Sequence, residues 1–245
     1  MSAAEMEKAL LKRVEDEKES TEALWRLARW YQHSKQIEKG VSCLRQILAQ
    51  MPDPENKAGC VLAMGQMMET AEDYAAAVRY YKEALAMEPT HTSNWYFINN
   101  NLGFSLNTLG EFVEGETYCR RAIDIDPNLP NAHKNLGISL AGQGEYRKAA
   151  KRFVTATQVN AADGRALRLL QDLIKQHPEL AYDFEEAAAC CQKATEVATK
   201  KAAALEPVIY RGWRKRLILF QMKLRFTFQR IWKRARDEKR NPSVG

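Results

Sequence analysis

Two consecutive stretches of 34 residues decide the fold: YFINNNLGFSLNTLGEFVEGETYCRRAIDIDPNL at residues 96–129 and PNAHKNLGISLAGQGEYRKAAKRFVTATQVNAAD at residues 130–163. Small residues stand at the same places in both stretches, since Gly103 and Gly137 are 34 positions apart. Both halves of each stretch carry apolar residues spaced as on one face of an α-helix. A fixed period of this length predicts one helix–turn–helix unit per repeat.

Two further copies precede these stretches. Residues 58–91 repeat the pattern, with an insertion of four residues before the next copy, and residues 21–54 repeat it more weakly. A small residue at the eighth position lets the first helix lie close against the second, and a proline ends the second helix. The eighth positions hold Ala28, Gly65, Gly103 and Gly137, the closing prolines are Pro52, Pro89 and Pro127, and Tyr74, Phe112 and Tyr146 are expected to fill the space beneath the turns.

This pattern resembles the tetratricopeptide repeat, which has an L-G pair, a later A-x3-F and a closing proline. Leu102 and Gly103 match the pair, and Ala149 with Phe153 matches the second element. The tryptophan of the family pattern is absent, and Asn99 is one of the residues in its place. The resemblance implies an all-α fold, a right-handed superhelix of four repeats with a concave groove.

The predicted organisation has four parts. Residues 1–20 form a charged N-terminal helix, and residues 21–163 form the four repeats. Residues 164–206 are expected to be a degenerate fifth repeat with capping helices, because a solenoid end needs a soluble outer face. Residues 207–245 are predicted to form a basic, aromatic, amphipathic helix followed by a short tail.

The resemblance also implies a ligand site, because family ligands lie along the first helices of successive repeats. The inward positions then hold Trp25, Arg29, Gln66, Asn100, Asn101, Phe104, Asn107, Lys134, Asn135 and Ile138. Asn101 and Asn135 each precede the L-G pair, and stacked amides of this kind either bond the backbone of an extended peptide or cap local structure. A clamp for a terminal carboxylate is not expected, since Leu62, Gln66 and Ile138 occupy positions where it needs polar or basic groups. We therefore expect a neutral, amide-rich groove for a peptide or a partner helix.

The charge of the chain is uneven. The net charge of +6 divides into +11 for residues 200–245 and −5 for the residues before them. Three interpretations of the basic helix stay open: a capping helix that docks on the repeats, an interfacial helix on an anionic membrane, or a contact at residues 207–240 for an acidic protein or a nucleic acid. The candidate contact residues are Trp213, Arg214, Arg216, Leu219, Met222, Arg225, Phe226, Arg230 and Trp232.

The sequence gives no indication of catalysis. It lacks GxSxG, GxxxxGK[ST], GxGxxG and HExxH, so we expect no enzyme activity, cofactor, metal or small-molecule substrate. Five cysteines without a CxxC spacing predict reduced packing residues. Because a signal peptide and a run of about 18 apolar residues are both lacking, a cytoplasmic location is expected, with membrane association as the alternative.

These features together predict a protein–protein interaction scaffold or adaptor that holds a peptide or helix in the groove, with the basic helix as a second contact. Two alternatives remain: a peripheral membrane adaptor anchored by that helix, and a structural subunit that assembles with itself.

Overall fold

The computed structural model describes residues 2–17, 20–50, 53–189 and 191–200, and all regular structure in these ranges is helical. The α-helices are α1 (Ala3–Asp16), α2 (Thr21–His33), α3 (Ile37–Gln50), α4 (Pro54–Thr70), α5 (Tyr74–Ala86), α6 (Thr92–Thr108), α7 (Phe112–Ile125), α8 (Pro130–Gly142), α9 (Tyr146–Val159) and α10 (Arg165–Gln176). A 3-10 turn at Pro178–Leu180 follows, and residues 181–189 and 191–200 are helical.

The chain divides into two units, residues 1–192 and residues 193–245. The first unit contains α1 to α10 and the 3-10 turn. Residues 193–200 are the part of the second unit that the structure describes, and they are helical. The predicted basic helix of residues 207–245 lies outside the described residues, as does the closing proline Pro52.

Consecutive helices of the first unit pack as hairpins. The pairs α2 with α3, α4 with α5, α6 with α7 and α8 with α9 make the most extensive helix contacts, and each hairpin also packs on the next one. This arrangement confirms the predicted all-α solenoid. The helix α10 and the turn at Pro178 follow at the place predicted for the degenerate fifth repeat, and the exact division into repeats and flanks stays a prediction.

The turn inside each hairpin has the same geometry in all four repeats. Its fifteenth position is left-handed in every copy, with φ of 57° at Lys35, 60° at Glu72, 85° at Gly110 and 79° at Gly144. The next residue then donates its backbone N–H to the carbonyl five positions earlier, at 2.8 to 3.0 Å in the four copies. This is the hydrogen bond of a Schellman turn, so a period in backbone conformation accompanies the period in sequence.

Glycine at the eighth position lets the two helices of a hairpin approach closely. A Cβ placed on Gly65 would lie 2.3 Å from the ring of Tyr81, and one on Gly137 would lie 2.4 Å from the ring of Phe153. In the third repeat the partner is smaller, because the corresponding Cβ of Gly103 would meet Cys119 Sγ at 2.5 Å. The small residue therefore makes room for a side chain of the second helix, as the pattern predicts.

Aromatic residues join each repeat to the following one. The ring of Tyr74 lies edge-on to Phe104 at 6.0 Å, and Tyr146 stacks on His177 at 3.6 Å. The ring of Phe112 lies where a Cβ on Gly142 would stand. The pattern predicts that these aromatic residues fill the space beneath the turns. In the structure each ring also contacts the unit that follows, so the three residues help to hold consecutive units together.

The first helices of the second, third and fourth repeats lie next to one another. The helix α6 contacts both α4 and α8, whereas contacts of this extent do not join α3 to α5 or α5 to α7 within the described residues. Closer spacing on one side means that the stack curves toward that side. We call the surface formed by α4, α6 and α8 the first-helix face.

Candidate functional site: the first-helix face

Buried amides join α6 to α8 beneath the first-helix face. Asn107 donates from Nδ2 to the backbone carbonyl of Asn135 at 2.9 Å, and its Oδ1 accepts from Ser139 Oγ at 2.8 Å. Asn135 in turn donates from Nδ2 to Asn100 Oδ1 at 3.0 Å. All four side chains are buried. Because a buried polar group without a partner is costly, these bonds fix how α6 and α8 pack.

Asn101 lies at the exposed edge of this network. Its Oδ1 accepts from Asn100 Nδ2 at 2.9 Å, and the residue stays half-buried. Asn135 occupies the equivalent position one repeat later but is 2% exposed. The difference in burial depends on the fifth position of the preceding repeat. For Asn135 that position holds Asn100, which offers a hydrogen-bond acceptor, whereas for Asn101 it holds the apolar Leu62. Of the predicted asparagines, Asn101 is therefore the one whose side chain reaches the surface.

The same register is used by a second polar bridge, between α4 and α6. Ser105 donates from Oγ to Glu69 Oε1 at 2.9 Å. Glu69 and Asn107 both hold the twelfth position of their repeats, and Ser105 and Ser139 both hold the tenth position of the next one. Glu69 is not among the site residues predicted from the sequence, although it holds the same repeat position as the predicted Asn107.

The carboxylate of Glu69 has no cationic side chain within salt-bridge distance among the described residues. Burial raises the pKa of its carboxyl group, against the opposing effects of Ser105 and Tyr81. The Tyr81 hydroxyl is buried and has no hydrogen bond of good geometry in the described part of the chain. Burial, and after it the Glu69 charge, raises the pKa of this hydroxyl, while neighbouring Asn101 lowers it. Glu69, Tyr81 and Asn101 are therefore polar groups that influence one another near the edge of the first-helix face.

Lys134, on α8, is a cationic side chain that also lies on the first-helix face. It is half-buried, and no carboxylate among the described residues lies within salt-bridge distance. Burial lowers the pKa of its ammonium group, and the nearby Arg165 lowers it further, whereas Asp163 raises it. Asp163 is already bound by Arg165, at 2.6 Å from Nη2, and Arg165 also donates to Asn131 at 3.0 Å.

Apolar side chains lie between these polar groups. Phe104 and Ile138 are half-buried on α6 and α8, and Phe97 is 44% exposed. Phe97 was not among the predicted site residues, although it holds the second, inward position of its repeat. The face therefore offers apolar surface as well as amides to a ligand.

The other predicted residues lie apart from this network. Trp25 packs partly against the core cluster of the first repeat, Arg29 is exposed, and Gln66 is half-buried. No hydrogen bond joins their side chains to the asparagine network within the described residues. The candidate contact residues Trp213, Arg214, Arg216, Leu219, Met222, Arg225, Phe226, Arg230 and Trp232 all lie outside the described residues.

Glu55 fixes the spacing of α4 and α6 from the other end. Its carboxylate accepts from the backbone N–H of His91 at 3.1 Å and from Asn94 Nδ2 at 2.6 Å. Burial alone would raise the pKa of Glu55, but these hydrogen bonds and those of Thr90 outweigh it, so the pKa is lowered. The carboxylate therefore stays charged and acts as a bridge between the second and third repeats.

The cysteines of the repeats are packing residues. Cys60 donates from Sγ to the Leu44 carbonyl at 3.1 Å, and burial raises its pKa to about 11. Burial raises the pKa of Cys119 to about 12. In the described ranges, no three potential ligands cluster closely enough for a metal ion. No described helix has both the length and the apolar character needed to cross a membrane.

Helix hairpins that stack in a fixed register define an α-solenoid repeat protein. A family model described as tetratricopeptide repeat matches residues 22–54, and a second with the same description matches residues 98–129. These two segments of the chain are therefore tetratricopeptide repeats. Members of this family are generally scaffolds for protein–protein interaction and are generally not enzymes.

Curated relatives share part of the chain. The small glutamine-rich tetratricopeptide repeat-containing protein 2 of Mycosarcoma maydis is 29% identical over 107 residues, which is 44% of this chain and 29% of that protein. The peroxisomal targeting signal receptor of Eremothecium gossypii is 30% identical over 114 residues, which is 46% of this chain and 19% of that protein. This chain therefore spans less than a third of the length of either relative.

Solved structures share the fold. BtubC from P. vanneervenii superposes with a TM-score of 0.59 and 17% identity, covering 85% of this chain and 89% of that one. YrrB, described as a TPR protein with an unusual peptide-binding site, gives a TM-score of 0.54 and 20% identity, covering 80% of this chain and 98% of that one. At these identities the likeness shows the fold alone, and it agrees with the solenoid seen here.

Proposed function

We propose that this chain is a non-enzymatic scaffold or adaptor that binds a peptide or helix of a partner protein on the first-helix face. The observation that carries the proposal is that the asparagines of this face differ in burial. Asn100, Asn107 and Asn135 are buried and hold the helices in place, while Asn101 stays at the surface. A face that is already ordered loses less entropy when a ligand binds.

The chemistry of the face suits a polypeptide. Asn101 carries an amide that can pair with a peptide bond, and Phe97, Phe104 and Ile138 provide apolar contacts on either side of it. The peptide-binding site named in the description of YrrB supports the same use for the fold. Under this proposal Phe97, which is exposed, and Asn101, which is half-buried, contact the ligand directly.

The test is affinity capture with the full chain and with the double variant Phe97→Ala/Asn101→Ala. We expect the double variant to lose specific partners while it keeps its helical content, measured by circular dichroism. The matched control is Gln158→Ala, which changes an exposed amide on the second helix α9. If all three proteins capture the same partners in equal amounts, the first-helix face is not the binding site.

We further propose that the basic segment of residues 207–245 acts as a second contact, and that its partner is an anionic membrane surface or an acidic protein. The support is its sequence alone, since 14 basic and 3 acidic residues stand between 200 and 245. Co-sedimentation with vesicles containing phosphatidylserine, using the full chain and a protein that ends at Glu206, tests the membrane form. We expect pelleting of the full chain alone, and equal pelleting of both proteins would contradict it.

A cytoplasmic location is part of the same proposal. Cys43, Cys60 and Cys119 are buried thiols that form no disulfide, which fits a reducing compartment. Fractionation of cells followed by detection of the endogenous chain tests this location, and recovery from an oxidising compartment would contradict it.

A further inference from the structure

The first-helix face has opposite charges at its two ends. Glu69 lies on α4 and Lys134 lies on α8, with one first helix between them. Neither charge has an oppositely charged partner at salt-bridge distance in the ranges that the structure describes. Other charged residues of this unit do form salt bridges, such as Arg165 with Asp163 at 2.6 Å. Two incompletely compensated charges of opposite sign therefore lie on the same face.

The distance between the two charges follows from the register of the repeats. Adjacent helices pack about 8–10 Å apart, so α4 and α8 are separated by about 18 Å. The first helices run in the same direction, because two turns separate each from the next. Glu69 is at the twelfth position and Lys134 at the fifth, which adds an offset of about 10 Å along the helix axis. The two charges are then about 20 Å apart on a diagonal.

An extended chain covers this diagonal in about six residues, at about 3.4 Å per residue. A helical chain would need about 14 residues to cover it, at 1.5 Å per residue. The midpoint of the diagonal falls on α6 between Asn101 and Phe104, which hold the sixth and ninth positions of their repeat. A ligand on this path would therefore meet the Glu69 carboxylate at one end, Phe104 and Asn101 near the middle, and the Lys134 ammonium at the other end.

We propose that the first-helix face binds an extended peptide with a basic side chain on Glu69 and an acidic side chain about six residues away on Lys134. This inference rests on the proposed function and specifies the class of peptide and its orientation. Because the two ends carry opposite charges, a peptide with the reverse order of charges must also reverse its direction. Opposite charges at fixed spacing then select both register and direction, which is the usual role of charge complementarity at interfaces.

The directions in which the pKa values of Glu69 and Lys134 are shifted agree with this assignment. The pKa of Glu69 is raised, with burial as the largest cause, and the pKa of Lys134 is lowered, again with burial as the largest cause. Each direction is that of a charged group that lacks compensation. A bound peptide with matching charges would oppose both shifts.

The experiment uses the full chain and fluorescein-labelled ten-residue peptides, capped at both ends, on a background of serine, threonine and alanine. Each peptide carries one lysine and one glutamate, separated by two to eight residues, in both orders. Fluorescence anisotropy measures the affinities. We expect the tightest binding at a separation of about six residues, and a loss of about fivefold when either peptide charge is replaced by glutamine, the upper range for exposed pairs.

Protein variants assign each peptide charge to its partner. In Glu69→Gln, the binding affinity is expected to depend no longer on the peptide lysine but still on the peptide glutamate. In Lys134→Gln, the affinity is expected to depend no longer on the peptide glutamate but still on the peptide lysine. The matched controls are Glu83→Gln and Lys151→Gln, which change exposed charges on α5 and α9 and are expected to leave both dependences intact. Should a protein variant fail to fold, the peptide replacements on the unchanged chain still decide the result.

Three outcomes would overturn the inference. Affinities independent of charge and spacing would reject it, and so would an optimum beyond the reach of an extended chain, which a longer helical peptide series would reveal at about 14 residues. The absence of binding by every peptide at millimolar concentration would also reject it. The proposed function is judged separately, by whether Phe97→Ala/Asn101→Ala loses captured partners, so either proposal can fail alone.

Discussion

The second and third repeats use the same positions for different polar chemistry. In the third repeat the twelfth position is Asn107, whose carbonyl accepts from Ser139 and whose amide donates to the Asn135 carbonyl. In the second repeat it is Glu69, which accepts from Ser105 but cannot donate as a carboxylate. The neutral amide satisfies its neighbours in both directions, whereas the carboxylate leaves a charge at the edge of the face. One position thus serves helix packing in one repeat and offers a charge to a ligand in the other.

The largest effect is expected from Asn107→Ala. The substitution removes two buried hydrogen bonds and leaves the Asn135 carbonyl without this donor, which costs about 2–3 kcal/mol of stability. Urea unfolding followed by circular dichroism measures the change. Gln158→Ala is the control, since an exposed amide on α9 is expected to change stability by no more than about 0.5 kcal/mol. Equal stability of the two variants would show that the amide network does not hold α6 to α8.

Glu69→Gln should have a smaller effect that depends on pH. Because the pKa of Glu69 is raised in the folded chain, the fold favours the protonated carboxyl. That contribution is complete at acid pH and is lost as the pH rises through the raised value. We therefore expect the variant to be more stable than the unchanged chain near neutral pH, with the difference narrowing toward about pH 4.

The measurement is urea unfolding of both proteins across this range of pH. Glu83→Gln on α5 is the control, because it makes the same substitution at an exposed side chain. The prediction is contradicted if the difference in unfolding free energy between Glu69→Gln and the unchanged chain is constant with pH or grows toward acid pH. That result would show that the folded chain stabilises the Glu69 carboxylate.

The comparison also explains how far the sequence could predict the site. The period of small and apolar residues predicts the hairpins, because that spacing decides which faces of the helices meet, and α10 lies within the residues predicted to form a degenerate repeat. The L-G context does not distinguish Asn101 from Asn135. Their burial depends on the residue one repeat earlier, which is Leu62 for one and Asn100 for the other. A site made by pairs of repeats therefore needs positions compared across repeats, and Glu69 was missed for that reason.

The smallest effect is expected where the second and third repeats differ in their turns. The fifteenth position is left-handed in both, but it holds Glu72 with φ of 60° in one and Gly110 with φ of 85° in the other. A side chain in this conformation costs about 1–2 kcal/mol, and glycine removes that cost while adding about 0.5–1 kcal/mol of unfolded-state entropy. Glu72→Gly is therefore expected to stabilise the chain by about 0.5 kcal/mol in urea unfolding.

Lys35→Gly should give a similar gain, because Lys35 holds the same position in the first repeat with φ of 57°. The control is Glu83→Gly, which places glycine inside α5 at an exposed position and should cost about 1 kcal/mol. If Glu72→Gly and Lys35→Gly are as destabilising as this control, the turns of the first two repeats do not share the left-handed geometry of Gly110 and Gly144. The recurrence of one turn geometry through all four repeats would then be wrong.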